Sequence, residues 1–262
     1  MKIIVCVKQV PDPEHAKMDE KSGTVVREGV ELMINPFDLY AVEEGLRLKE
    51  KLGGEVIAVS MGPPQAGSAL REVIGMGVDR GILLTSRDFA GADTWATSYT
   101  LAKACETIKD YDLIICGKQA IDGDTAQVGP GIAAQLEIPQ ITFVRKIDEI
   151  SEKNIKAERL VEGGYEVISS PMPILITVVK EINEPRLPTL KGRLNARKAE
   201  ITRWGPEDIN AEKDKIGITG SPTKVDEIFT PDLSKNGKIF SIDQLDEAVE
   251  EIIKKQKAMG LI

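Results

Sequence analysis

The sequence predicts an α/β protein built on a doubly wound parallel sheet. Three observations carry that expectation. Unbroken apolar runs recur at 2–7, 55–60, 81–85 and 112–116, the pattern of strands buried on both faces. Amphipathic stretches of helical period separate them. Helix start and stop residues stand at the boundaries. Alternation of strand and helix in this order gives parallel strands with crossover helices.

Each element has its own signal. The run Lys-Ile-Ile-Val-Cys-Val at 2–7 opens the chain as a strand. A helix is expected over 36–52. Asn35 stands at its cap position, Pro36 fits the first turn, Ala41, Gly45, Leu48 and Leu52 share one face, and Gly53 ends it. Strand 55–60 follows, then helix 65–76, strand 81–85, helix 94–108 behind Asp93, strand 112–116, and helix 126–136 behind Asp124 or Thr125. After residue 140 the pattern changes. Stretches 152–160 and 165–169 read as a hairpin around Glu162-Gly163-Gly164. Residues 174–180 read as a further buried strand, and 183–200 as a basic loop opened by prolines. The aperiodic stretch 205–237 and a helix over 243–258 read as a C-terminal arm that needs a partner surface. The expected organisation is one domain over 1–204 and an arm over 205–262.

Composition excludes several classes. The chain has 262 residues and a net charge of −8, which opposes nucleic-acid binding, since neutralising phosphates takes clustered Lys and Arg. The single histidine, His15, leaves no material for a multi-histidine metal site, nor for a Ser-His-Asp triad that does not use it. The three cysteines, Cys6, Cys105 and Cys116, fit neither a zinc spacing nor a disulfide framework. Cys6 and Cys116 lie in apolar runs as reduced core residues, which points to the cytoplasm. No apolar run reaches the roughly 18 residues of a membrane span, and no targeting segment is read. Any chemistry belongs to a bound cofactor or to a partner.

In such sheets ligands bind beyond the carboxyl ends of the strands, so the loops at 8–18, 60–65, 86–94 and 117–126 matter. The loop 117–128, Gly-Lys-Gln-Ala-Ile-Asp-Gly-Asp-Thr-Ala-Gln-Val, runs from a strand into a helix start that suits a phosphate. Gly117 and Gly123 allow close approach or positive φ. It is neither a P-loop nor a Gly-x-Gly-x-x-Gly fingerprint, and a plain capped strand–helix turn remains an open reading. Thr94 and Thr97 lie one turn apart and could offer hydroxyls to a diphosphate. Trp95 reads as core. The stretch 186–198 is either a solvated loop or a docking loop for an acidic partner with Leu190 at its tip.

Taken together, Val7-Lys8-Gln9-Val10, Asn35-Pro36-Phe37-Asp38 with Ala41-Val42-Glu43-Glu44, Met61-Gly62-Pro63, Gly117 through Thr125, and Asn183-Glu184-Pro185-Arg186 resemble the β subunit of electron-transfer flavoproteins, in order along nearly the whole chain. The resemblance implies an adenine-nucleotide α-hydrolase-like fold and an α-subunit partner that carries FAD. It implies nucleotide contacts from Cys6, Asn35, Pro36, Phe37, Asp38 and Met61, and from Gly117, Gln119, Ala120, Asp122, Gly123, Asp124, Thr125, Gln127 and Val128. Val26-Arg27-Glu28-Gly29, Gly91 through Thr97 and Asp122 through Pro130 are similar to the flavin-bifurcating branch. There a second FAD replaces AMP in the β subunit, oxidises NADH, and splits the electrons between the α-subunit FAD and a ferredoxin or flavodoxin. That reading adds Asp93, Thr94 and Thr97 to the site. The alternative is a non-bifurcating subunit with structural AMP serving acyl-CoA dehydrogenases.

Docking to an acyl-CoA dehydrogenase or quinone oxidoreductase would fall on Arg186, Leu190, Lys191, Arg193 and Arg197. The Lys-rich end of that loop in the respiratory form is replaced here by Asn195 through Glu200. An ATP-dependent synthetase would need a Ser-Gly-Gly-type loop after the first strand, where Lys8-Gln9-Val10-Pro11-Asp12 stands. A small-ligand stress-type protein would not need the arm.

Overall fold

The computed structural model describes residues 1–12, 31–224 and 237–262. His15 and Val26 through Gly29 lie outside the described residues. The chain divides into one unit over Met1–Glu227 and a second over Ile228–Ile262.

The first unit holds a nine-stranded sheet. In chain order its elements are β1 Lys2–Cys6, β2 Gln9–Pro11, β3 Leu32–Ile34, α1 Pro36–Leu52, β4 Glu55–Met61, α2 Gly67–Met76, β5 Arg80–Leu84, α3 Thr94–Ile108, β6 Leu113–Gly117 and α4 Val128–Gln135. Then come β7 Gln140–Ile150, β8 Asn154–Val161, β9 Gly164–Pro171, β10 Ile174–Val178, α5 Leu190–Lys198 and β11 Thr202–Trp204. The strand order is β11-β5-β4-β1-β6-β10-β7-β8-β9. Pairing is parallel from β11 to β7 and antiparallel through β8 and β9. β2 and β3 form a separate antiparallel pair.

Alternation along the strands explains the double winding. Ile3, Val5, Val56, Ala58 and Ile115 face α1 and α2. Ile4, Cys6, Ile57, Val59, Ile114 and Cys116 face α3 and α4. The chain builds β1, β4 and β5 outward to one side, then crosses to β6 on the other side of β1. That reversal opens the crevice between β1 and β6 where doubly wound sheets bind ligands.

The expected α/β architecture is the observed one, with several corrections. The strand β7 was not expected, although Ile141, Val144 and Ile147 alternate loosely through two bulges. The basic stretch is not a loop throughout. Thr189 accepts from the Gly192 N–H at 3.0 Å and starts α5. Gly192 lets the α5 backbone meet α2, since a Cβ there would stand 2.1 Å from the Gly75 carbonyl oxygen.

The expected boundary after residue 204 also moves. Ile209 and Ile216 are buried in the core beneath α3, because Tyr99, Phe89 and Leu101 leave an apolar face that they cover. Residues 205–224 therefore belong to the α/β unit rather than to an arm. Trp95, expected in the core, is 55% exposed, because Asp93 sets the helix start so that Ala96 and Tyr99 point inward instead.

The second unit, described over 237–262, is a capping box at Ser241 and Gln244 leading into α6, Leu245–Ala258. Leu245, Val249, Ile252 and Ile253 are exposed along one helical stripe. Among the described residues no helix is long and apolar enough to cross a membrane.

Candidate functional site

The loops that leave β1 and β6 are joined across the crevice by two side chains. Asn35 is 1% exposed. Its Nδ2 donates to the Gln119 carbonyl oxygen at 2.8 Å and to Asp38 Oδ1 at 2.9 Å, and its Oδ1 accepts from the Ile121 N–H at 3.1 Å. A buried amide with both ends satisfied fixes the loop. The expectation that Asn35 caps α1 fails for this reason: its side chain is engaged by the loop 84 residues further on. Lys8, which sequence reasoning quoted but did not place in the site, spans the same gap through an ion pair with Asp122 at 2.7 Å.

Asp38 sits beneath this junction. It accepts from the Lys8 N–H at 2.7 Å. Burial drives its carboxyl from an ordinary 3.8 up to about 7, against the hydrogen bonds from Lys8 and Asn35 and the Lys8 charge. Gly117 is required here, since a Cβ would lie 2.4 Å from Asp38 Oδ1 and 2.7 Å from the Phe37 carbonyl carbon. Pro36 fills the first turn of α1. The Lys118 ammonium lies 5.9 Å from the Phe37 ring and 5.7 Å from the Phe143 ring, a contact that only the fold brings about. Lys118 stood in a motif that reasoning could have searched; Phe143 carried no signal.

Cys6 and Met61 end β1 and β4 on the α3–α4 side. Cys116, last but one in β6, lies beside Cys6. The hydrogen bond with Cys6 and then burial push the Cys116 thiol well up, and burial does the same for Cys105. The expected reduced, buried cysteines are observed. Thiols held protonated are poor nucleophiles and poor metal ligands. Among the described residues no group of His, Cys, Asp and Glu is arranged to hold a metal ion.

The rest of the loop departs from expectation in detail. Gly123 has neither positive φ nor a close neighbour; Asp124 and Ala126 carry the positive φ, at 51° and 53°. Short polar Asp tolerates that region, so the turn does not need glycine there. The Asp124 N–H donates to the Ala120 carbonyl at 2.8 Å, and its carboxylate accepts from Gln119. Neither Asp124 nor exposed Thr125 caps the helix. α4 begins at Val128 behind Gln127, with no side-chain cap. Among the described residues the N–H groups of Val128 and Gly129 find no acceptor. α4 is seated deeply: a Cβ on Gly129 would lie 2.6 Å from Thr177 Cγ2, and one on Gly131 would lie 2.3 Å from Ser98 Oγ.

Beside it, Asp93 caps α3 as expected, accepting from Trp95 and Ala96. Thr94 Oγ1 donates to Gln127 Oε1 at 3.1 Å, tying the two helix starts together. Thr97 is half-buried one turn on. The uncapped α4 amides, with the Thr97 hydroxyl on the neighbouring helix, are donors of the kind that a phosphate-bearing ligand uses.

The expected docking residues lie elsewhere, on and before α5. Leu187, Leu190 and Leu194 are exposed, the first two at 83% and 78%. Arg186 is held back by the fold. It pairs with Glu43 at 2.7 Å and with Glu50. Burial raises the Glu43 carboxyl, but the bonds from Arg186 and Arg47 outweigh it and hold it low.

Fold and site together define a doubly wound α/β domain with its polar loops gathered at one topological switch point, the place where such sheets bind ligands. Residues 22–209 match the electron transfer flavoprotein domain. The chain is 48% identical over 263 residues to the electron transfer flavoprotein subunit beta of Thermoanaerobacterium thermosaccharolyticum, covering the whole of both. It is 44% identical, again over the whole of both chains, to subunit CarD of the caffeyl-CoA reductase-Etf complex of Acetobacterium woodii. To protein FixA of Azorhizobium caulinodans it is 42% identical, covering 98% of this chain and 95% of that one. The chain belongs to the electron transfer flavoprotein family, as a β subunit.

Proposed function

We propose that this subunit, paired with an electron transfer flavoprotein α subunit, binds FAD at the β1–β6 crevice and takes electrons from NADH. They then pass to the α-subunit FAD and to a low-potential ferredoxin or flavodoxin. The observation that carries the reading is the open start of α4, joined to the start of α3 by the Thr94–Gln127 bond. A nucleoside monophosphate needs one set of donors, and a dinucleotide needs a second; the two adjoining helix starts supply both.

On this reading Cys6, Met61 and the Asn35–Asp38 segment flank the adenine, and Phe37 and the 117–124 loop hold its edge. Val128 and Gly129 N–H groups take one phosphate, and the Thr97 hydroxyl, with that of Thr94 once it turns from Gln127, takes the other. The flavin supplies the hydride and single-electron chemistry; the protein binds, orients and excludes water. No side chain of this chain need donate or accept a proton. Similarity to a subunit of a caffeyl-CoA reductase complex and to FixA supports the bifurcating branch. An acyl-CoA-type dehydrogenase or a quinone oxidoreductase would dock on Leu190, Lys191, Arg193 and Arg197 of α5, with Arg186 held against α1 by Glu43 and Glu50 rather than meeting the partner. The buried, reduced thiols support a cytoplasmic setting. The second reading is structural AMP in the same crevice, which would use the α4 start alone.

A cofactor count tests this. The heterodimer is purified, its nucleotides are released by denaturation, and FAD and AMP are quantified, while NADH is added to intact protein as flavin absorbance is followed. Two FAD, no AMP and bleaching by NADH are expected. One FAD, one AMP and no response would overturn the proposal in favour of a simple shuttle.

A further inference from the structure

A cavity of about 330 Å³ lies at the β11 edge of the sheet, on the face covered by α1 and α2. Leu83 of β5 is its floor, and Gly67, the first residue of α2, forms one wall. Ala199 through Ile201, which carry the chain from α5 to β11, form another. Two arginines from different elements line it. Arg71 stands one turn into α2, and Arg203 stands in the middle of β11, in register with Leu83.

These two arginines lack the partners that others have. Arg47, Arg80, Arg145, Arg159 and Arg186 each pair with a carboxylate. Among the described residues neither Arg71 nor Arg203 does, although Asp and Glu outnumber Lys and Arg by 42 to 34. Arg71 donates only to the Gly67 carbonyl, at 3.5 Å, too long for a strong bond. Glu200 lines the same cavity but bridges to neither. Two guanidinium groups on one cavity repel each other. Each also presents a planar fork of N–H donors matched to a carboxylate or a phosphate. The volume lies at the lower end of the range for small-molecule sites, and an apolar floor with a few polar groups on the walls is their usual lining.

The glycine adds a second observation. Its backbone is in the right-handed helical region, and a Cβ there would stand 3.6 Å from Arg71 Nη1 and 3.9 Å from Leu83 Cδ2, both ordinary contacts. Neither conformation nor packing demands glycine at this helical position, where it costs stability relative to alanine. What it provides is open space beside Arg71.

We propose that this cavity is a binding site for a small anionic metabolite, held through its carboxylate or phosphate by Arg71 and Arg203. Leu83 and Ile201 take the apolar part of the ligand, and Gly67 leaves room for it.

The test titrates orthophosphate and malonate separately into the heterodimer by calorimetry, with its nucleotides bound so that their sites are filled. Saturable binding is expected. Arg71→Gln and Arg203→Gln should each weaken it about tenfold, the loss of one charge-assisted contact. Glu200→Gln removes a charge that repels the anion and should tighten binding about two- to threefold. Gly67→Ala should raise the melting temperature and yet weaken binding, a pair of signs that unfolding cannot produce. Thermal melts without anion confirm that each variant is folded. Tighter binding of malonate assigns the site to a carboxylate ligand, and tighter binding of orthophosphate to a phosphate ester. Absence of saturable binding, arginine variants that bind as the wild type does, or a Glu200→Gln variant that binds more weakly would each overturn the proposal.

Discussion

α3 and α4 begin side by side at the same sheet edge, yet their starts are built oppositely. α3 has a carboxylate on its first amides, and that carboxylate also accepts from the N–H and hydroxyl of Thr223, 130 residues away in sequence. α4 has no side-chain cap, and Pro130 in its first turn removes a further donor. The first start is capped by a side chain, and the second is not. A helix terminus can be stabilised or functional at little cost, but a capping carboxylate and a phosphate compete for the same N–H groups. The open start is tolerable because Gly129 and Gly131 press α4 against β10 and α3, so packing rather than capping holds it.

The sharpest way to probe that asymmetry is pH. The loop that leads to α4 leaves β6 at Gly117 beside buried Asp38, whose carboxyl is raised to about 7. A raised carboxylate contributes stability that is fully present below its ordinary value of 3.8 and lost as pH rises through about 7. Asp38→Asn should therefore flatten the melting profile across that window, a change on the order of a few kcal/mol. An unaltered slope would mean that the donors around Asp38 already keep it ionised.

Next in size, Gly131→Val drives a side chain into Ser98. It should cost about 2–3 kcal/mol by overpacking and lower the melting temperature by several degrees, with loss of the β-site nucleotide. Gln127→Asp would close the α4 start as Asp93 closes that of α3. Nucleotide affinity, followed by titration, should fall about tenfold or more; unchanged affinity would place the phosphate elsewhere.

Asp93→Ala opens the α3 start instead and should cost about 1 kcal/mol in denaturant unfolding. Burial alone would raise the Asp93 carboxyl, but the bonds from Ala96, Thr223 and Trp95 outweigh it and hold it low. Its contribution is thus present above the ordinary carboxylate value and lost as pH falls through the lowered one, the reverse of Asp38. Smallest of all, Thr94→Val removes the bond to Gln127 and should weaken β-site FAD a few-fold, about 0.5–1 kcal/mol, with the α-subunit flavin retained.

Much of this was legible in the residues. Helix 36–52 and helix 94–108 stand where Pro36, Gly53 and Asp93 predicted, because their stop and start signals are local. The apolar runs became β1, β4, β5, β6 and β10. What was missed lacked a local signal. β11 is three residues long and exists by pairing with β5. α5 carries Gly192 and few apolar residues, and it is helical because α2 offers Gly75 for its backbone to lie against. Residues 205–224 have no period because they cover α3 irregularly.

By itself the sequence determined the alternation of strands and helices, the family, and the set of loops that meet at the ligand edge, since hydrophobic period and turn chemistry act over a few residues. Only the tertiary structure decided what those loop residues do. Asn35 ties down a distant loop instead of capping its own helix, Asp93 serves the fold while the α4 start stays open, and Arg186 braces α1. Each of these outcomes depends on a hydrogen-bond partner far away in the chain, and a buried polar group takes whichever partner the fold brings within 3 Å or so.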